Sequence, residues 1–369
     1  MLEVLKRAPL AALLVGAVVA AGCGSSSNGS STGGGSSSSS GGGGARIAIV
    51  ETGPKDDGGW NSNYLRGANA LARLVPGSSV TFVADVNPGA QAQQTMGTLA
   101  TQGYDAVVSN GNFAADVSAV APRYPKTKFY SSYDARTAPN KSVYQAGDEL
   151  GGYVDGVIAG SMTRSGILGY VGSYGLPGTL RTVNAFELGA KSVRPDVVVK
   201  RLDVNSYYDP TKEQQAAEAL VDAGADVLLQ NNTSPASATV AEKRGVGYVG
   251  WNSDLRRVAP NAWLGGFTYD WAPYLAQIAR GVKSADWRAT VDHPQDVTSF
   301  LPYGSRLPAA VKAKAERARK ELESGQLKIF TGPITDNRGR VVVAKGQTIS
   351  TPDQLNSCCT WLVQGVQGG

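Results

Sequence analysis

Residues 46–50 read Arg-Ile-Ala-Ile-Val, a short β-rich run, and after a loop a helix-like stretch follows from Asn61 to Leu74, carrying Leu65, Ala68 and Leu71. The pair then repeats. Val80 to Ala84 precedes a helical Ala90 to Gln102, Ala106 to Ser109 precedes Phe113 to Tyr124, and Lys128 to Ser131 leads into a connecting stretch. After the helix-like Gly151 to Met162 a second set begins. It comprises Ile167 to Val171, Arg181 to Arg194, Val197 to Asp203, Pro210 to Ala223, Val227 to Gln230, Ala236 to Arg244 and Gly247 to Trp251. Strands alternating with helices require right-handed crossovers and a mostly parallel sheet. Two such sets predict an α/β protein of two doubly wound lobes.

Helix punctuation agrees with this reading. Asp209-Pro210-Thr-Lys-Glu213 sets an N-cap acid before a proline at the first helical position, and Gly224 stands where that helix should stop. Gly103 and Gly245 end two other helices in the same way. Beyond them, Ala262 to Thr268 reads as a strand, Trp271 to Val282 as a helix and Pro308 to Ser324 as a charged amphipathic helix. Lys328 to Lys345, with Asp336-Asn-Arg-Gly339 between apolar runs, reads as a hairpin.

The first segment reads as an address. Lys6 and Arg7 precede an apolar stretch from Pro9 to Ala21, which ends in Ala20-Ala21-Gly22-Cys23. The stretch is short for a membrane span, and small residues before a cysteine resemble a bacterial lipoprotein signal, in which Cys23 becomes the lipidated N-terminus. The alternative is an ordinary secretory signal with an incidental cysteine. Residues 24–44 are Gly and Ser apart from Asn28 and Thr32, a flexible coil that would hold a domain roughly 25 Å from its anchor. Residues 1–22 are thus expected to be a signal peptide and 23–44 a lipidated tether, with the protein on the extracytoplasmic face of the cell membrane.

Composition narrows the chemistry. The 35 Lys and Arg against 30 Asp and Glu leave an excess too small and too scattered to argue for nucleic acid. One histidine, His293, and three cysteines exclude multi-histidine zinc sites and four-cysteine metal sites. His293 lies in a polar Asp-His-Pro stretch that reads as a surface loop. Gly172-Ser-Tyr-Gly175-Leu-Pro-Gly178 has the wrong glycine spacing for a phosphate loop, and Gly29-Ser-Ser31-Thr-Gly33 lies in the tether, where no nucleophile elbow can form. No catalytic residue, metal or cofactor is expected. Adjacent Cys358 and Cys359 permit a vicinal disulfide or two free thiols, and a buried pair near Trp361 is the plainer reading.

Ligands of open parallel sheets bind beyond the carboxyl ends of the strands, and three loops there stand out. They are Asp56-Asp57-Gly58-Gly59-Trp60-Asn61, Asn205-Ser206-Tyr207-Tyr208-Asp209-Pro210 and Gly250-Trp251-Asn252-Ser253-Asp254. Flat aromatic faces beside amides and carboxylates suit a planar heterocycle, whose rings stack while its polar edge is satisfied. Taken singly, Asp57-Gly58-Gly59 reads equally as a turn, Trp60 as a hydrophobic staple and Asp209 as an N-cap. Of Tyr207 and Tyr208, at most one should face the cleft.

Asp57-Gly-Gly-Trp-Asn61, Ile167-Leu-Gly-Tyr-Val-Gly172 with Leu176-Pro177, Ala185-Phe-Glu-Leu-Gly-Ala190, Tyr208-Asp-Pro210, Leu220-Val-Asp-Ala-Gly-Ala-Asp-Val227 and Gly332-Pro-Ile-Thr-Asp336 resemble, in this order, the basic membrane protein family of bacterial lipoproteins. That family comprises ABC-importer substrate-binding proteins, including purine-nucleoside receptors. The resemblance runs from about residue 46 to about residue 366. It implies a type I periplasmic-binding-protein fold, a monomer whose two lobes, joined by three hinge crossovers, close on a small ligand for an ABC permease. Residues 45–148 plus about 265–300 would form lobe 1, and 149–264 plus about 301–369 lobe 2. It further implies a base held between Trp60 and Tyr207, with Asn61 beside the first ring, Asp57 in its loop and Asn110 to Phe113 in another strand-end loop.

Two departures bear on the ligand. Nucleoside binders commonly carry Asp-Ser-Asp where this chain has Asn252-Ser253-Asp254, and often a lysine where it has Thr268-Tyr269-Asp270. Both changes remove charged partners for a ribose. A purine base or similar flat heterocycle is therefore expected, with a nucleoside as the alternative. A ligand-sensing lipoprotein and a nucleoside-processing enzyme are the remaining readings.

Overall fold

A computed structural model describes residues 44–368. The signal segment, Cys23 and nearly all of the tether lie outside the described residues.

The first half alternates β1 (Arg46–Glu51), α1 (Trp60–Leu74), β2 (Ser79–Val83), α2 (Ala90–Thr101), β3 (Ala106–Asn110), α3 (Ala114–Val120), β4 (Lys128–Ser132), β5 (Lys141–Tyr144) and α4 (Asp148–Met162). The second runs β6 (Ile167–Gly172), α5 (Pro177–Val193), β7 (Val198–Asp203), α6 (Pro210–Asp222), β8 (Val227–Gln230), α7 (Ala236–Arg244), β9 (Gly247–Trp251) and β10 (Trp263–Tyr269). Then come α8 (Ala272–Gly281), β11 (Val291–Asp292), β12 (Thr298–Phe300), α9 (Ala309–Glu323) and α10 (Pro352–Ser357).

Two sheets result. One has the order β11-β5-β4-β3-β1-β2, the other β12-β10-β9-β8-β6-β7 with the terminal strand Val366–Gln367 on its far edge. Pairing is parallel throughout except between β10 and β12. This is the doubly wound, two-lobed type I arrangement that the alternation and the resemblance both imply. The chain changes sheet after Tyr144, after Tyr269 and after Asp292. A return to the first lobe near residue 265 is not what the pairing shows, because Trp263–Tyr269 runs in register beside β9 and the crossing comes only after it. Likewise Thr298–Phe300 pairs with β10, so the last crossing precedes residue 298 rather than following residue 300.

Both faces of each sheet are covered, so the central strands are apolar throughout. Ile47, Ile49 and Val108 pack toward α1 and α8, whereas Ala48, Val50, Val107 and Phe113 pack toward α2 and α3. Alpha4 is buried along nearly its whole length, and its glycines are required for close approach. A Cβ on Gly156 would lie 2.1 Å from the Phe186 carbonyl oxygen of α5, and one on Gly151 would strike the Phe267 ring. The expected hairpin forms around Asp336–Gly339, with Ile334–Thr335 against Val341–Val343. A second ribbon, Phe330–Thr331 against Thr348–Ile349, extends it.

Candidate functional site

Trp60 opens α1, and the residues before it explain its fixed position. The Asp57 carboxylate accepts hydrogen bonds from the backbone N–H groups of Gly59 (2.9 Å), Asn61 (3.1 Å) and Ser62 (3.1 Å), satisfying donors left over at the helix start. Asn61 donates to the Thr52 and Pro54 carbonyls, both at 2.9 Å. The loop is thereby pinned, and Trp60 projects toward the second sheet. There its ring lies 6.1 Å from that of Trp251, at the end of β9, with only 12° between the planes. Tyr269 meets it edge-on at 5.1 Å, Trp271 edge-on at 5.8 Å, and Tyr133 lies 6.0 Å away. Behind these, Trp271 stacks on Tyr64 at 4.1 Å.

A polar relay runs through this aromatic box. Trp251 Nε1 donates to the Tyr269 hydroxyl (3.0 Å), Tyr269 donates to Asp148 Oδ1 (2.8 Å), and Tyr133 donates to Asp148 Oδ2 (3.1 Å). Burial pushes the Asp148 carboxyl up to about 6, with the Arg181 charge and the tyrosine hydrogen bonds pulling the other way. Burial and the Asp148 charge in turn raise the hydroxyls of Tyr133 and Tyr269.

A seam of hydrogen bonds joins the two sides beside the rings. Asn63 of α1 donates to the Asn252 carbonyl at 3.0 Å and also to its side-chain oxygen, Thr268 donates to the same carbonyl at 2.9 Å, and Ser253 donates to the Gly58 carbonyl at 2.9 Å. Asn252 can do this because its backbone is left-handed (φ +67°), a conformation asparagine tolerates better than most residues. Its Nδ2 is buried without a partner.

The expected residues therefore separate. Trp60, Tyr269 and Asn252 come together in the box or along its seam. Tyr207 stands at the rim, 37% exposed, edge-on to Tyr174 at 4.9 Å, while Tyr208 is 58% exposed. The Asp57 and Asn61 side chains are hydrogen-bonded to the backbone of their own loop. Asn110 points at Glu51, donating to both its carboxylate oxygens at 2.8 Å, and burial drives Glu51 well above the usual carboxylate range. Phe113 is fully buried in the core between β1, β3 and the helices beside them. Asp254 is exposed and held by the Arg256 guanidinium at 2.9 and 2.6 Å, which turns it outward. Trp251, Trp271, Tyr133, Asp148 and Asn63 were not singled out from sequence. Trp251 lay inside a loop already noted, and Gly147-Asp148-Glu149 carries the acids of a helix start; Tyr133 gave no local signal.

His293 is not on a surface loop. Its side chain is 1% exposed, and its ring joins Glu149 (2.8 Å) to Asn356 (2.8 Å) where the third crossing meets α4 and α10. Arg181 completes the cluster, donating to Glu149 (3.0 Å), Gln145 (2.8 Å) and the carbonyls of Leu355 and Ala146. Burial would raise Glu149, but His293 and Arg181 outweigh it and hold the carboxyl at about 2. Cys358 and Cys359, directly after α10, form a buried vicinal disulfide.

Among the described residues no helix is long and apolar enough to cross a membrane, and no group of three or more His, Cys, Asp or Glu could hold a metal ion.

A purine-binding protein of Brucella abortus is 33% identical over 327 residues, covering 87% of this chain and 92% of the relative. A putative ABC transporter glucose-binding protein of Haloferax volcanii is 28% identical over 217 residues, 58% of this chain and 56% of the relative. Among solved structures, an ABC transporter solute-binding protein from Conexibacter woesei matches 77% of this chain and 98% of its own, with a TM-score of 0.64 and 23% identity, a likeness of fold. The family model of PnrA-like ABC transporter substrate-binding proteins matches residues 45–290. Members of this family are substrate-binding components of ABC transporters, not enzymes. They work outside the cytoplasm, taking up a small molecule and passing it to a permease. With that match reaching through strands of both sheets, the chain belongs to the PnrA-like family of ABC transporter substrate-binding proteins.

Proposed function

We propose that this protein captures a purine base, or a flat heterocycle of similar size, between its two lobes and presents it to an ABC permease as a monomer tethered through lipid on Cys23. The sheets are the moving bodies in this reading, and the three crossings are its hinges. The near-parallel pairing of Trp60 and Trp251 from opposite sheets carries it. A ring inserted between two aromatic faces needs about 7 Å between them, twice the carbon contact distance. The ring centroids stand 6.1 Å apart, so admitting a base requires the lobes to part by at least about 1 Å.

A base is favoured over a nucleoside because two polar groups that could receive a ribose have other partners. Asp254 pairs with Arg256, and the Asn252 side-chain oxygen accepts from Asn63. The purine-binding relative in Brucella abortus supports the same ligand class. Tyr207, placed at the rim, would cover the ligand edge rather than form the second face of the clamp.

Thermal shifts against purine bases, nucleosides, amino acids and sugars test the reading, since a ligand of the native state raises the melting temperature. Hypoxanthine, adenine or guanine should give larger shifts than their nucleosides. Trp60→Ala should weaken binding by about 1 to 3 kcal/mol, roughly 5- to 150-fold in Kd. Unchanged affinity in that variant, or a response confined to sugars or amino acids, would refute it.

A further inference from the structure

We infer that Asp148 is the polar selector of the aromatic box, and that the site takes heterocycles presenting N–H donors; this rests on the purine reading above. The direction of the hydrogen bonds carries the inference. The Trp251 indole N–H is spent on Tyr269, and the hydroxyl hydrogens of Tyr269 and Tyr133 are both spent on Asp148. Each donor of the relay thus points toward the carboxylate. What these residues turn toward a ring lodged by Trp60 is lone pairs.

The carboxylate keeps capacity of its own. An ionised Asp offers about four acceptor positions, and the two tyrosines occupy one on each oxygen. Trp60 lies 5.1 Å from the Tyr269 ring and 6.0 Å from the Tyr133 ring, so a base stacked on Trp60 lies beside both hydroxyl-bearing rings that frame Asp148. Two buried donors remain without a partner nearby, Asn252 Nδ2 and Trp271 Nε1. They suit the bare ring nitrogens of a purine. The arrangement matches a base that offers N–H groups on one edge and acceptor nitrogens on another, and it rejects a base whose N–H edge is alkylated.

Isothermal titration of the purified protein and its Asp148→Asn variant with adenine, hypoxanthine, N6,N6-dimethyladenine and 1-methylhypoxanthine tests this. Wild type should bind the parent bases at least tenfold more tightly than the methylated ones. Asp148→Asn should lose at least tenfold for the parents while leaving the methylated bases unchanged, because methylation removes the N–H of the six-membered ring that is assigned to the carboxylate. Tyr133→Phe keeps the carboxylate and the ring shape, so it serves if the first variant fails to fold. Because it frees an acceptor position on Asp148, it should tighten the parent bases several-fold and leave the methylated ones unchanged. Parent affinity unaltered by both variants would overturn the assignment, as would an equal loss for parent and methylated bases. Wild type binding none of the four would overturn the purine reading itself.

Discussion

Replacing Arg181 with methionine removes the cation at the junction of α4, α5, α10 and the third crossing. The guanidinium is fully buried and donates to Glu149, Gln145, Leu355 and Ala146, so methionine keeps the stem but strands four acceptors. Breaking a buried ion pair by deleting one partner costs about 3 to 5 kcal/mol. His293 still faces Glu149, which places the expected loss near the lower end, about 3 kcal/mol. The loss should depend on pH with a definite sign. The folded-state pKa of Glu149 is depressed to about 2, so its contribution is fully present above about pH 4.5 and is lost as pH falls toward 2. Urea unfolding of wild type and Arg181→Met at pH 7 and at pH 3 reads both effects. The gap should be about 3 kcal/mol at pH 7 and distinctly smaller at pH 3. A gap under about 1 kcal/mol at pH 7, or one that widens in acid, would refute the account of this cluster.

Other outcomes follow from the same geometry. Phe113→Ala should cost about 3 to 5 kcal/mol of stability, measured by denaturant, without changing ligand affinity once folded, because the ring belongs to the core and not the cleft. Asp254→Ala should leave ligand Kd within about twofold, since its ion pair with Arg256 is exposed and worth little. Asp148, raised to about 6, acts oppositely to its neighbour Glu149. Between about pH 4 and 6 the unfolded chain gives up this proton while the folded one retains it, so stability falls as pH rises, by up to about 3 kcal/mol. Asp148→Asn should flatten that part of a melting-temperature profile.

Much of the fold was legible because it rests on long periodic segments. The strand and helix alternation and the proline and glycine punctuation account for most of β1 to β10. Beta5, β11 and β12 were not legible. They are two to four residues long, and their pairing depends on partners distant in sequence, such as Val291 beside Val143. Alpha5 starts at Pro177, four residues before the expected start, with the proline at the first helical position. At the site the loops were legible, but the partners of their side chains were not. Asp57, Asn61 and Phe113 are polar or aromatic residues at strand ends, as ligand contacts are, yet they face their own backbone or core. Asp148 and Tyr133 matter through each other and through Tyr269, 121 residues from Asp148 along the chain, a relation that no local pattern expresses.

The late residues also bear on when this molecule can take shape during its synthesis. The first sheet acquires its outer strand only with Val291–Asp292, and the second acquires its outer strand only with Val366–Gln367. Leu355 and Asn356, which complete the buried cluster at the crossings, are made after all of β1 to β12 and α1 to α9. A nascent chain that has not reached residue 355 therefore lacks this part of the cluster where the crossings meet, however early β1 to β4 are made. The cluster is finished only once synthesis has passed residue 356, and cutting the chain before residue 355 removes a fastening that reaches back to Gln145 and Arg181.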